Sequence, residues 1–160
     1  MRISVAADSR DGVAERVVSE LRRRGHEVLT HGALADGEHG ERGVEQGGEQ
    51  GDGERDDWAW ACERAARDVA EGRAEQAVVC CWTGTGASIA ANKVPGVRAA
   101  LCVDAYTADG ARKWNDANVL ALSLRLTSDV VLDEILDAWL AGRPSTDPAD
   151  VANIAHLEQI

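Results

Sequence analysis

The strongest constraint on the fold is a strand, helix and second strand packed into the first thirty residues. Residues 2–7 (RISVAA) form a short apolar run closed by Asp8. Val13, Val17, Val18 and Leu21 then recur at helical spacing across about 12–24, and Gly25 closes that helix. His26–Thr30 (HEVLT) reads as a strand again. Two strands joined by one helix must lie parallel, with a right-handed crossover.

The alternation continues after a break. The segment DWAWACERAARDVAEG predicts a helix and Gln76–Trp82 (QAVVCCW) a buried strand. A Gly-Thr-Gly turn and a short helix, GASIAANK, follow. Arg98–Val103 is a fourth strand, Ala105–Lys113 a helix and Asn118–Ser123 a fifth strand. The helix near 129–141 carries Val131, Leu132, Ile135, Leu136, Trp139 and Leu140 along one face. Asp147 and Pro148 open a last helix as N-cap and first helical residue. These elements predict an α/β fold, a Rossmann-like three-layer sandwich around a five-stranded parallel sheet. With 160 residues, a single domain spanning 1–160 is expected.

The break is the stretch 31–56. It holds eight of the 16 glycines, and nine acidic residues lie between Asp36 and Asp57. Only Leu34 and Val44 offer bulky aliphatic side chains there. A Gly- and Glu-rich flexible loop is expected, either a mobile lid or a disordered, solvated spacer.

The formal net charge of −11 excludes a broad nucleic-acid surface, and a phosphate site would need a local basic pocket. No run approaches the roughly 18 apolar residues of a membrane span. The opening MRISVAADSRDG turns charged too early for a signal peptide, so a cytoplasmic protein is expected. Cysteines stand at 62, 80, 81 and 102 without a CxxC spacing. Cys80 and Cys81 are neighbours on a strand and point to opposite faces, so they do not share a metal ion or build a disulfide framework.

Ligands of open α/β sheets bind beyond the carboxyl ends of the strands. Asp8-Ser9, Cys81-Trp82-Thr83-Gly84-Thr85-Gly86 and Asp104-Ala105-Tyr106 converge there. The glycines of the middle segment let backbone amides approach a ligand, and the following helix presents its positive end. A thiol at such a loop is suited to act as a base or nucleophile. Taken alone, the turn is also compatible with plain packing of a helix on a sheet, and it lacks the GK[ST] ending of a P-loop.

The longer string CWTGTGASIAANKVPGVRAALC, followed by WNDANVLAL, resembles the type B ribose-5-phosphate isomerase and galactose-6-phosphate isomerase family. The corresponding family stretches read like CGTGxGxSIAANKxxGIRA and HNDANVLALG. The first strand ending in Asp8 and the closing LDAWL fit as well, so the resemblance spans nearly the whole chain apart from 31–56 and the tail after Gly142. It implies aldose–ketose interconversion through an enediolate, without metal or organic cofactor. Cys81 matches the catalytic base. Thr83, Gly84 and Gly86 match the anion-hole loop, with Thr85 between them a further oxyanion- or substrate-binding candidate, and Thr83 also matches a residue linked to ring opening. Asp8 and Asn115 match residues that contact sugar hydroxyls and the enediolate. The resemblance further implies a homodimer or dimer of dimers, with each site completed by the neighbouring subunit.

Departures from the family pattern fall at functional positions. Ser9 replaces a histidine, Trp82 the glycine after the cysteine, and Trp114 the histidine of HNDAN. Trp58-Ala59-Trp60 stands where the family has Tyr-Pro-His. None of the histidines (26, 31, 39, 156) matches a catalytic position, and PSTDPADVANIAHLEQI lacks the arginines that clamp phosphate. Arg10 and Arg112 are candidate substitutes for that clamp, and otherwise exposed helix charges. Trp58, Trp60, Trp82 and Trp114 could stack on a sugar or simply fill a decayed pocket. The expected function is therefore an isomerase-like enzyme with Cys81 as base, acting on a non-standard, unphosphorylated or more apolar sugar. A noncatalytic ligand-binding protein on this fold, or a conventional sugar-phosphate isomerase with a relocated phosphate site, stays open.

Overall fold

The computed structural model describes residues 1–35 and 55–160. The strands are β1 (Arg2–Ala7), β2 (Glu27–Gly32), β3 (Gln76–Cys81), β4 (Ala99–Leu101) and β5 (Val119–Ser123). The helices are α1 (Ala14–Arg23), α2 (Trp58–Ala70), α3 (Thr85–Ala91), α4 (Ala105–Asn115), α5 (Asp129–Ala141) and α6 (Pro148–Leu157). One sheet of order β2-β1-β3-β5-β4 joins the strands, and every pairing is parallel.

The central strands carry no charge, as strands covered on both faces require: QAVVCC and VLALS are buried throughout. On one face Ile3, Val5, Val78, Leu120 and Leu122 pack with Val17 and Leu21 of α1, Ala108 and Ala111 of α4, and Ile135, Leu136 and Trp139 of α5. On the other, Ala6, Ala77, Val79, Cys81 and Ala121 meet Ala61, Ala65 and Ala66 of α2 and Ala87 and Ala91 of α3. That second layer is built mostly of alanine, so α2 and α3 approach the sheet closely. The result is the expected Rossmann-like three-layer α/β sandwich.

Element boundaries shift for identifiable reasons. Strand β2 runs through His31 and Gly32, because Gly32 pairs with Ala7, and Leu34 beyond it is buried at 4% exposure. Those residues therefore belong to the sheet and core and not to the glycine-rich break. The lid-or-disorder expectation for the rest of the break falls on 36–54, outside the described residues. Strand β4 stops at Leu101, short of Val103. The amides of Val103 and Asp104 turn instead to the Thr107 hydroxyl (both 3.3 Å), and Asp104 caps α4. Asp147 caps α6 as expected, accepting from the Ala149 amide at 2.8 Å. Among the described residues, no helix is long and apolar enough to cross a membrane.

One buried polar cluster joins β1, β2 and α2. The Asp68 carboxylate accepts from the Ser4 hydroxyl (2.7 Å) and from Arg73 Nε (2.6 Å), and His31 Nε2 lies 2.7 Å away. Burial alone would raise the Asp68 carboxyl, but the bonds from His31, Ser4 and Arg73 outweigh it and hold the carboxyl below its usual value. A depressed carboxyl contributes stability above its unfolded pKa and loses it as pH falls through the lower folded value. Asp68→Asn should therefore lower stability by about 2–3 kcal/mol at neutral pH. In denaturant titrations the gap to wild type should narrow only once the pH drops below about 4.

Candidate active site

Four chain segments meet at the carboxyl end of the sheet. They are the end of β1 (Asp8, Ser9), the β3–α3 turn, the start of α2 and the end of β5. Cys81 is the last residue of β3 and lies level with Ser123 of β5. Its side chain points to the α2/α3 layer and is only 5% exposed, while Cys80 points to the opposite layer. The Cys81 sulfur accepts the Ala87 amide at 3.4 Å, and Ala87 is in the first turn of α3. Burial pushes the Cys80 thiol up to about 12 and the Cys102 thiol up to about 11, and it raises Cys62 as well. These three thiols stay protonated.

The turn after Cys81 depends on Gly84. It adopts φ +76° as N-cap of α3. A Cβ there would lie 2.5 Å from Leu101 Cδ1 and 2.9 Å from the Leu122 carbonyl carbon. Only glycine combines that backbone with that proximity. The first bond inside α3 runs from Ser88 N to Gly84 O (3.0 Å). The amides of Thr85 and Gly86 precede it and have no acceptor within the helix. The exposed Thr83 and Thr85 hydroxyls lie 2.8 Å apart above them. The turn thus offers a sulfur, two hydroxyls and free amides within six residues, a set suited to proton abstraction and oxyanion binding.

Asp8 is half-buried beside this turn. Burial pushes its carboxyl above the usual value against a lowering backbone hydrogen bond, and the charges of Asp57 and Asp11 add to the rise. The Ser9 hydroxyl accepts from the Asp11 amide (3.3 Å) and closes a local turn. Trp58, the first residue of α2, lies against Gly86: a Cβ on Gly86 would be 3.0 Å from Trp58 Cε3. Trp82 is 56% exposed, and its carbonyl accepts from the Ser123 hydroxyl (3.0 Å) and the Arg125 amide (3.1 Å). Trp60 holds Arg55 over its ring at 3.8 Å, and Arg55 in turn grips Asp57 (2.9 Å).

Other sequence candidates lie elsewhere within the chain. Asn115 ends α4 and sits at the amino end of β5, about 13 Å along the strand from the level of Cys81. Trp114 beside it packs edge-on to Tyr106, with ring centroids 6.1 Å apart. Arg112 is buried at 8% exposure, where it bonds the Ala117 carbonyl and Asp116 below β5. Arg10 is engaged by Glu15 at 2.8 Å.

Two residues at the site escaped sequence reasoning. Asp57 charges the mouth beside Asp8. Arg125 stands two residues past the end of β5, is exposed, and has no carboxylate partner among the described residues. The signal for Arg125 was its place just past WNDANVLAL, at the carboxyl end of a strand.

A family model described as Ribose/Galactose Isomerase matches residues 38–157. The chain is similar to ribose-5-phosphate isomerase B of Escherichia coli, with 36% identity over 79% of this chain and 74% of that one. It is also similar to D-erythrulose-4-phosphate isomerase of Pectobacterium atrosepticum, 44% identical over 47% of this chain and 49% of that one. The structure superposes on ribose-5-phosphate isomerase B of Clostridium thermocellum with a TM-score of 0.79. That alignment covers 99% of this chain and 96% of the other at 31% identity.

The constraint at Gly84 is testable on stability. Gly84→Ala should cost about 2–4 kcal/mol, from the left-handed backbone and the collision with Leu122 together. Gly72→Ala is the control, since Gly72 has φ +74° with nothing within 4 Å, and it should cost only about 1–2 kcal/mol. Denaturant midpoints with unchanged slopes would give both values.

Proposed function

Since this chain belongs to the ribose/galactose isomerase family, we propose that it is an aldose–ketose isomerase that works through an enediolate with Cys81 as base. The observation that carries this reading is the Cys81 sulfur accepting the Ala87 amide at 3.4 Å beside the open amides of Thr85 and Gly86. As a thiolate, Cys81 takes the proton from the carbon next to the substrate carbonyl. The C–H electron pair forms the C=C bond of the enediolate, and the carbonyl π electrons move to its oxygen. The oxyanion is held by the amides of the 83–86 turn. The C=C pair then takes the proton back from Cys81 at the former carbonyl carbon, while the adjacent hydroxyl gives its proton to the oxyanion and its O–H electron pair becomes the new C=O. Asp8, whose raised carboxyl holds a proton more readily than an ordinary aspartate, faces a substrate hydroxyl. This route calls for no metal or organic cofactor.

The substrate departs from an ordinary pentose phosphate in this reading. Arg10 is spent on Glu15 and Arg112 is buried below β5. An unphosphorylated or more apolar sugar fits a mouth lined by Trp58 and Trp82. A second reading has its own support: Arg125, whose amide bonds the Trp82 carbonyl and which has no carboxylate partner among the described residues, is placed to grip a terminal phosphate. Similarity over 47% of the chain to a D-erythrulose-4-phosphate isomerase agrees with a small phosphorylated substrate.

Solvent-deuterium exchange into free and phosphorylated aldoses and ketoses separates these readings. Exchange beside the carbonyl should occur in wild type and fall at least ~100-fold in Cys81→Ala. Arg125→Gln should raise KM about tenfold or more if a phosphate is bound there, and leave free-sugar kinetics unchanged otherwise. Exchange into none of these sugars would count against sugar isomerase activity and favour an unusual substrate or a ligand-binding role on this fold.

We further propose a homodimer or dimer of dimers, because Cys81 lies level with the carboxyl end of β5 and Asn115 at its amino end, too far apart to serve one site within a chain. In a two-fold dimer the Asn115 end of one subunit faces the Cys81 end of its partner. Separately inactive Cys81→Ala and Asn115→Ala proteins, mixed through a reversible unfolding step, should then regain about one quarter of wild-type activity. No recovery would place Asn115 outside the site.

A further inference from the structure

Trp58 differs from the tryptophan of the core. Trp139 is 1% exposed and donates from Nε1 to Gln76 Oε1 at 2.8 Å, whereas Trp58 stays 42% exposed. What it touches is the catalytic turn. The position of a Gly86 Cβ would lie 3.0 Å from Cε3 and 3.2 Å from both Cδ2 and Cζ3, so the benzo part of the indole rests on the start of α3. The next amide along, Ala87 N–H, is the one that reaches the Cys81 sulfur.

A second observation places the ring from the other side. Trp58 and Cys62 are four residues apart on α2 and share one helix face. The Cys62 thiol lies 4.0 Å from the Cys80 carbonyl, so that face of α2 rests on the end of β3. Trp58 is one turn closer to the start of α2 and stands beyond the strand end, over the mouth that holds Cys81. Asp57 precedes it, and its charge adds to the rise that burial gives the Asp8 carboxyl, so the start of α2 lies on the same side of the sheet as the end of β1. The indole thus rests on the start of α3, with much of its remaining surface open.

We infer that Trp58 is a specificity-determining residue: its indole is the wall that limits how large a sugar Cys81 can reach. The inference rests on the isomerase reading of Cys81. A flat apolar wall packs against the C–H face of a carbon chain and offers no charge or hydrogen-bond acceptor. It accepts a short chain and refuses added carbons, since the ring cannot retreat through Gly86 and α3. The absence of a side chain at Gly86 is what lets the ring sit this low. The pair is therefore coupled: truncating Trp58 enlarges the mouth, and adding a methyl group at Gly86 pushes the ring outward and narrows it.

The test is a kcat/KM series on four-, five- and six-carbon aldoses that carry whichever terminal group wild type accepts. Trp58→Ala should raise the ratio of longer to shorter substrate by about tenfold or more, the scale of one carbon in a tight pocket. Trp58→Phe should stay within about threefold of wild type, because a planar wall remains. Trp58→Leu serves as a second truncation if the alanine variant does not fold, and should shift the ratio in the same direction. Gly86→Ala should lose activity on the longest substrate first, and Trp58→Ala in the same chain should restore it. An active wild type whose size ratio does not move in a folded Trp58→Ala or Trp58→Leu variant overturns the inference and leaves the isomerase reading intact. Failure of wild type to exchange deuterium into any sugar removes both.

Discussion

The close contact at Gly84 is the constraint on which the site depends. Its backbone at φ +76° reverses the chain within three residues of β3, and the space a Cβ would need is filled by Leu101 and Leu122. Because the turn is pinned to β4 and β5, α3 starts directly above the strand end. The Ala87 amide then points at the Cys81 sulfur instead of at solvent. Loosening this contact would move the sulfur, the free amides and the two threonine hydroxyls relative to one another.

The uneven composition of the two helical layers serves the same end. The α1, α4 and α5 layer is filled by Val, Leu, Ile and Trp139 and supplies most of the bulky apolar burial. The α2 and α3 layer is filled largely by alanine, which brings those helices close to the sheet. Close packing carries Trp58 and Asp57 at the start of α2 to the same rim as Gly86 and Asp8. Bulky side chains thus stabilise one face while small ones shape the mouth on the other.

Charge is distributed with a similar division. Among the described residues, most arginines are committed to nearby carboxylates, including Arg16 to Asp133, Arg23 to Glu20 and Arg98 to Asp116. These pairs tie helices together in a chain whose formal charge is −11. Arg125, just past β5, has no carboxylate partner among the described residues. Asp8 and Asp57 make the end of β1 and the start of α2 acidic, so the local field there does not favour a strongly charged anion.

Much of the architecture was legible in the sequence because it follows from local periodicity. Two-residue alternation alone assigned Cys80 and Cys81 to opposite layers, and helical spacing with Asp147 and Pro148 located α6. The Gly-Thr-Gly turn and its cysteine were readable as a site because strand ends in parallel sheets gather ligands. Tertiary structure decided what depends on contacts between distant segments. It carried β2 through Gly32 by pairing with Ala7, and it committed Arg10 to Glu15 and Arg112 to the turn below β5. It set Asn115 at the far end of the strand from Cys81 and laid Trp58 on Gly86, 28 positions along the chain. Sequence spacing reports which face a residue takes on its own element, whereas the partner across the gap is chosen by how those elements pack.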